Sequence, residues 1–159
     1  MIYHLRLFNF NMKTQVYSGY TFQHVSQFEH AQLLYCKELK MAICAAQSEY
    51  IPIAEFKKIF NAITALLSEY PTRYFLFDKR QLRTFHQPSM EWYFAVWKQE
   101  VKTLGLNHHY KILPELDWFS KAVEAGKQEI FQKYGKDVLS GIQVDYVNNE
   151  EEAINSITG

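Results

Sequence analysis

The sequence predicts a single α/β domain built on one mixed sheet, and three observations predict it. One stretch alternates apolar and polar residues in the manner of an antiparallel hairpin. Later stretches carry apolar residues at helical spacing, and short apolar runs separate those helices. Strands that alternate with helices need crossover connections, and right-handed crossovers lay the last three strands parallel in the same sheet as the hairpin. Four helices are expected to pack on it.

The hairpin comes from "HAQLLYCKELKMAICAAQ", where two apolar stretches flank Lys37 and Glu38 and alternation is clearest at Leu39, Met41, Ile43 and Ala45. The preceding "TQVYSGYTFQHVSQF" alternates weakly and reads as an edge strand or an ordered loop. Residues 1–29 are therefore set apart as an N-terminal extension or edge strand, and residues 30–159 as the domain itself. Met12, followed by Lys13, offers an alternative start that would make residues 1–11 dispensable.

Next, "IPIAEFKKIFNAITALLSEYP" places Ile53, Phe56, Ile59, Phe60, Ile63, Leu66 and Leu67 on one face, a helix entered at Pro52 and ended before Pro71. "RYFLF" is a short buried strand closed by Asp78. "PSMEWYFAVWKQEVKTLG" follows as a helix with Phe94, Trp97, Val101 and Leu104 in a stripe and Gly105 as its stop. "HHYKILP" reads as a strand. "ELDWFSKAVEAGKQEIFQKYG" reads as a helix with Leu116, Phe119, Val123, Gly126, Ile130 and Tyr134 along one side. "GIQVDYV" is the last strand, and "NNEEEAINSI" a closing helix capped by Asn148 or Asn149 with acidic residues in its first turn, where they suit the helix dipole.

Composition bounds the function. Seventeen basic residues balance seventeen acidic ones, so no global field draws in nucleic acid or anionic lipid. No apolar run approaches the ~20 residues of a membrane helix. The opening stretch lacks a small-residue cleavage site after a long apolar block, which argues against a secretory signal. Cys36 and Cys44 show neither metal spacing nor a redox pair and read as buried thiols of a reducing, cytoplasmic compartment. Aromatic residues make up 16% of the chain, so ring packing should dominate the core.

The order of elements, with "RYFLFDKRQL" as strand and turn and a Pro-initiated helix after it, resembles the STAS-like superfamily, the fold of bacterial anti-sigma-factor antagonists and of the cytoplasmic domains of sulfate transporters. It is similar to small bacterial proteins of that fold, in which an LxD strand end precedes a leucine-bearing turn. The likeness spans residues 30–157 and implies a regulatory, protein-binding module without enzymatic activity. In the antagonists a phosphorylated serine follows an Asp at the helix start. Here the region is "FHQPSMEW", with no such Asp and no following glycine, and Ser89 is the one hydroxyl in the corresponding place.

Pro88 suits the first helical position, which makes Gln87 the expected cap and puts Ser89 in the first turn, where a phosphate would be tolerated. Lys79, Arg80 and Arg83, with Arg73 before the strand, form a basic cluster at the C-terminal end of a parallel strand, where open α/β sheets present ligand loops. The plainer reading is a solvated loop balanced by Asp78, Glu91 and the acidic tail. His108 and His109 point to opposite faces of a strand, and the other histidines lack ligand spacing, so no metal is expected. No nucleophile-elbow, P-loop, Rossmann or zinc-protease pattern is present, and no cofactor is expected. Asp78 and Asp117 sit where aspartates close turns.

Trp92, Tyr93, Phe94 and Trp97 are too many rings for one narrow stripe. The expected function is thus partner binding or self-association through the surface around residues 78–97, carried by Asp78, Lys79, Arg80, Arg83, Ser89, Trp92, Tyr93 and Trp97. The alternative is a carrier or sensor of a small hydrophobic ligand lined by Trp92, Phe94, Trp97 and neighbouring rings, which an enclosed apolar cavity of roughly a few hundred Å³ beneath that helix would favour.

Overall fold

A computed structural model describes residues 13–159. The alternative start at Met12 lies outside them. Seven strands form one sheet in sequential order: β1 (Thr14–Tyr17), β2 (Tyr20–Gln27), β3 (Ala31–Cys36), β4 (Met41–Ala46), β5 (Tyr74–Asp78), β6 (His108–Ile112) and β7 (Gln143–Tyr146). The first four are antiparallel, and β4 through β7 run parallel. The parallel run thus includes β4, the second strand of the expected hairpin, because the first crossover returns beside it.

The weakly alternating segment before that hairpin is a hairpin of its own. Ser18 and Gly19 both have positive φ, at 50° and 81°, between the paired residues Tyr17 and Tyr20. That two-residue left-handed turn matches the twist of the strands it joins, and a glycine there adopts it without a Cβ clash. A bulge between His24 and Ser26 then shifts register, so that Phe22 and Val25 belong to cores on different faces of the sheet. Residues 14–27 are therefore part of the same sheet as the rest.

Three crossovers cover one face. The first is α1 (Ile53–Glu69), whose buried side is Phe56, Ile59, Phe60, Ile63, Leu66 and Leu67. The second is a continuous helical segment made of α2 (Gln87–Trp92), a π-turn (Tyr93–Trp97), α3 (Lys98–Val101) and a closing 3₁₀ turn (Lys102–Leu104) that ends at Gly105 with φ 93°. The third is α4 (Asp117–Tyr134), buried through Phe119, Val123, Gly126 and Ile130. Successive right-handed crossovers that always step toward the same sheet edge must keep to one face, which is what places these three together. The other face carries α5 (Glu150–Thr158), through Ala153 and Ile154.

The helical face packs ring on ring. Phe60 stands at its centre, with ring centroids 4.4 Å from Phe56, 5.2 Å from Phe77 and 4.9 Å from Trp97. On β4 the same core receives only Ala42, Cys44 and Ala46, small side chains that leave room for the phenylalanines of β5. Cys36 lies in the core of the opposite face, so the two thiols are separated by the sheet. Among the described residues no helix is long and apolar enough to cross a membrane.

Candidate functional site

Strand parity and register assemble the site. Alternate residues of a strand share a face, so Phe75 and Phe77 of β5 look toward the helices, and Lys79 continues the row. The Lys79 backbone N–H donates to the Ile112 carbonyl at 2.8 Å, which carries the ladder one step past β5. Register pairs Phe75 with His109 and Phe77 with Lys111, which sets both β6 side chains on that same face. Two lysines thus meet at the C-terminal ends of adjacent parallel strands, the place where open α/β sheets take their ligands, and the His109 imidazole lies two residues earlier on the same face.

They line a cavity of about 70 Å³. Phe56, Phe77, Tyr93, Phe94 and Phe119 supply ring walls, and Thr84, His86 and Ser89 supply polar groups nearer its edge. Tyr50 and Thr84 are its exposed lining residues and mark the mouth. Among the described residues no carboxylate lines it.

Lys111 is 3% exposed, and its ammonium stands 4.8 Å from the Tyr93 ring and 5.0 Å from the Phe94 ring. Lys79, half-buried as a residue, holds its ammonium 5.1 Å from the Phe77 ring. Neither ammonium has a hydrogen bond or an ion pair among the described residues. Ring faces attract a cation, but they replace only part of the hydration lost on burial. Burial, and then Lys127, push Lys79 down to about 8. Burial, with Lys79, Lys127 and Lys98 adding like charge, pushes Lys111 well below the usual lysine range. Lys98 differs in donating to the Leu139 carbonyl at 2.7 Å, and Lys127 in donating to the Tyr146 hydroxyl at 2.6 Å.

His109 is fully buried, and its Nδ1 is hydrogen-bonded to the Tyr93 hydroxyl. Burial foremost, and then the surrounding lysines, keep the imidazole neutral by lowering its pKa well below the usual value. Its Nε2 has no partner among the described residues. An unmet buried polar atom costs about 1–3 kcal/mol, a cost that structures tend to carry where a ligand or water completes the bond.

The π-turn shapes the upper wall. One extra residue per turn widens the helix where Tyr93 and Phe94 face the lysines, and such turns recur at functional sites. Trp97 anchors the turn from below, its indole N–H donating to the Phe60 carbonyl at 2.9 Å.

Measured against expectation, the stretch 78–97 is divided. Asp78 and Arg80 are bound to each other: Asp78 Oδ1 accepts from the Arg80 backbone N–H at 2.9 Å and from Nε at 3.0 Å. Arg80 Nη2 donates to Asp78 Oδ2 at 2.8 Å and to Glu150 at 2.9 Å. Those carboxylates hold the guanidinium in its charged form. Arg83 is exposed and donates to the Arg80 and Leu82 carbonyls. Arg73 stands at the opposite end of β5, so the basic cluster is dispersed. Ser89 is buried and bonded through Oγ to His86 Nδ1 at 2.8 Å. The helix cap is His86 rather than the expected Gln87. Tyr93 and Trp97 are core residues, and Trp92 is half-buried against Phe56. Of the rings expected to line a ligand cavity, Phe94 and its neighbour Tyr93 do so and Trp92 and Trp97 do not, and the cavity is smaller than the few hundred Å³ expected for a hydrophobic carrier. Asp117 opens α4 as its first residue.

From the sequence His109 stands out only as a metal candidate beside His108, and Lys111 does not stand out. The signal for both was parity, since they are spaced by two in β6 and share its inward face. Among the described residues no cluster of histidine, cysteine and carboxylate groups could hold a metal ion. Comparison with protein-family models, curated proteins and solved structures finds no match to this chain.

Proposed function

We propose that the protein binds a small organic acid, with the acid group between Lys79 and Lys111 and an apolar body against the rings. The observation that carries this reading is the pair of lysines without counter-ion facing one ring-walled cavity. Four lysines act on one another there and no carboxylate lines the space, so the local field favours an anion although the chain is neutral overall. A volume of about 70 Å³ suits a few heavy atoms behind the mouth rather than a long lipid chain. Carrier or sensor is the role consistent with such a site. A cytoplasmic location belongs to the same reading and is supported by two buried free thiols.

The test is a calorimetric titration at pH 7 and low salt with benzoate and phenylacetate, each against its neutral amide. Binding of the acids that weakens at least about tenfold for the amides supports the proposal, since a charge-assisted hydrogen bond is worth ~1.5–3 kcal/mol. Equal affinity for acid and amide, or none for either, overturns it.

A second reading, partner binding in a STAS-like manner, is supported by the exposed Arg83, Val96 and Trp118 outside the cavity. Concentration-dependent sedimentation that is lost in Trp118→Ala would favour it.

A further inference from the structure

We infer that Lys111 forms a reversible imine with the carbonyl group of a small 2-oxo acid whose carboxylate pairs with Lys79. The inference rests on the organic-acid reading above and divides the work between the two lysines by position. Lys79 is the half-buried one, follows the end of β5, and sits where an entering carboxylate would meet a cation. Lys111 is deeper, on β6, flanked by the Tyr93 and Phe94 rings and by no acid that would hold it protonated.

A lysine in an apolar wall beside a second cation is the arrangement that yields an amine nucleophile at neutral pH. Burial and neighbouring charge lower both lysines, and the deeper Lys111, with three lysines acting on it, is the one pushed furthest toward the neutral, nucleophilic amine. Tyr93 and His109 lie on the same wall as a bonded neutral pair, able to donate to the carbonyl oxygen without bringing a competing negative charge.

The step balances without oxidant or reductant. The Lys111 nitrogen lone pair adds to the carbonyl carbon, making the C–N bond as the π pair moves to oxygen. The oxygen then departs with the two former N–H protons as water, leaving C=N. Water leaves and returns through the mouth at Tyr50 and Thr84, which makes the capture reversible.

The experiment incubates the full chain with pyruvate at neutral pH, with and without sodium cyanoborohydride, and reads intact mass followed by peptide mapping. Expected is one reduced adduct per chain, on Lys111, formed only with the reductant and absent from Lys111→Arg, which keeps the charge but not the nucleophile. Lys79→Met should slow adduct formation about tenfold or more through loss of the carboxylate partner. Adducts spread over exposed lysines with none enriched at Lys111 would overturn the inference, and mapping in the unaltered chain decides this whether or not the variants fold. If benzoate or phenylacetate still binds in that case, the organic-acid reading survives alone. If neither acid binds and no adduct forms, both fail.

Discussion

At the residue scale, two lysines separate stability from use. A lysine buried without a counter-ion loses hydration and is driven to give up its proton, both at a cost, and an apolar residue of similar length removes that cost. Lys111→Met should therefore raise the melting temperature, by ~2–4 °C for each ~1 kcal/mol in a domain of this size, while abolishing acid binding. Scanning calorimetry together with titration checks both halves, and a variant that is less stable would show that the lysine has a structural partner. Sites retained for binding are expected to carry such local cost. Lys79 sets the pH response of binding. A bound carboxylate favours the protonated amine, so affinity should fall as pH rises through about 8, and binding on the alkaline side should take up a proton. Titrations in buffers of different ionisation heat measure that uptake.

At the scale of elements, α4 and α2 meet at Gly126, and this contact reaches the cavity wall. A Cβ at Gly126 would stand 2.5 Å from Gln87 Oε1, 2.9 Å from Phe85 Cζ and 3.0 Å from Met90 Sδ, and both Phe85 and Met90 line the cavity. The helix gains about 1 kcal/mol when glycine becomes alanine. Gly126→Ala should accordingly change thermal stability little, because the propensity gain offsets the displacement of flexible side-chain ends. It should weaken acid binding severalfold as Phe85 and Met90 move into the space. Unchanged affinity would mean that those side chains yield away from the cavity. On the other face, α5 begins at Asn149, whose side-chain oxygen accepts from the Glu152 backbone N–H at 2.8 Å. Asn149→Ala should cost about 0.5–2 kcal/mol in a denaturation curve and leave binding intact, since α5 covers the face opposite the cavity.

For the whole molecule, buried bases write the pH dependence of folding. Lys79 has a folded value of about 8 against an ordinary 10.5, so between these pH values the unfolded chain holds more protons and stability rises with pH. His109 acts in the same direction on the acid side: held neutral in the fold, it withdraws stability as pH falls below 6.5. Denaturant titrations from pH 5 to pH 10 should show both limbs (about the range in which these groups titrate). The alkaline rise, to which the lowered Lys98 and Lys111 also contribute, should become shallower without vanishing in Lys79→Met, and an unaltered rise in that variant would assign it to those two lysines.

The α/β class, the order of elements from β3 onward, the stripe of α1 and an asparagine cap for α5 were legible because each depends on local periodicity or capping chemistry, and the structure chose Asn149 over Asn148 for that cap. The β1–β2 hairpin was half legible: an edge strand was expected there, but the Ser18-Gly19 turn was not read as joining two strands, and a bulge breaks the alternation at Val25. The cavity was not legible. The chain itself determined which residues face inward on each strand, since side chains alternate whatever the partner. Only the parallel register of β5 on β6, and the packing of the π-turn over it, decided that Lys79, Lys111 and His109 share one cavity. Periodicity acts within a segment, whereas a cavity and the desolvation inside it arise from how segments far apart in the chain fail to fill the volume between them.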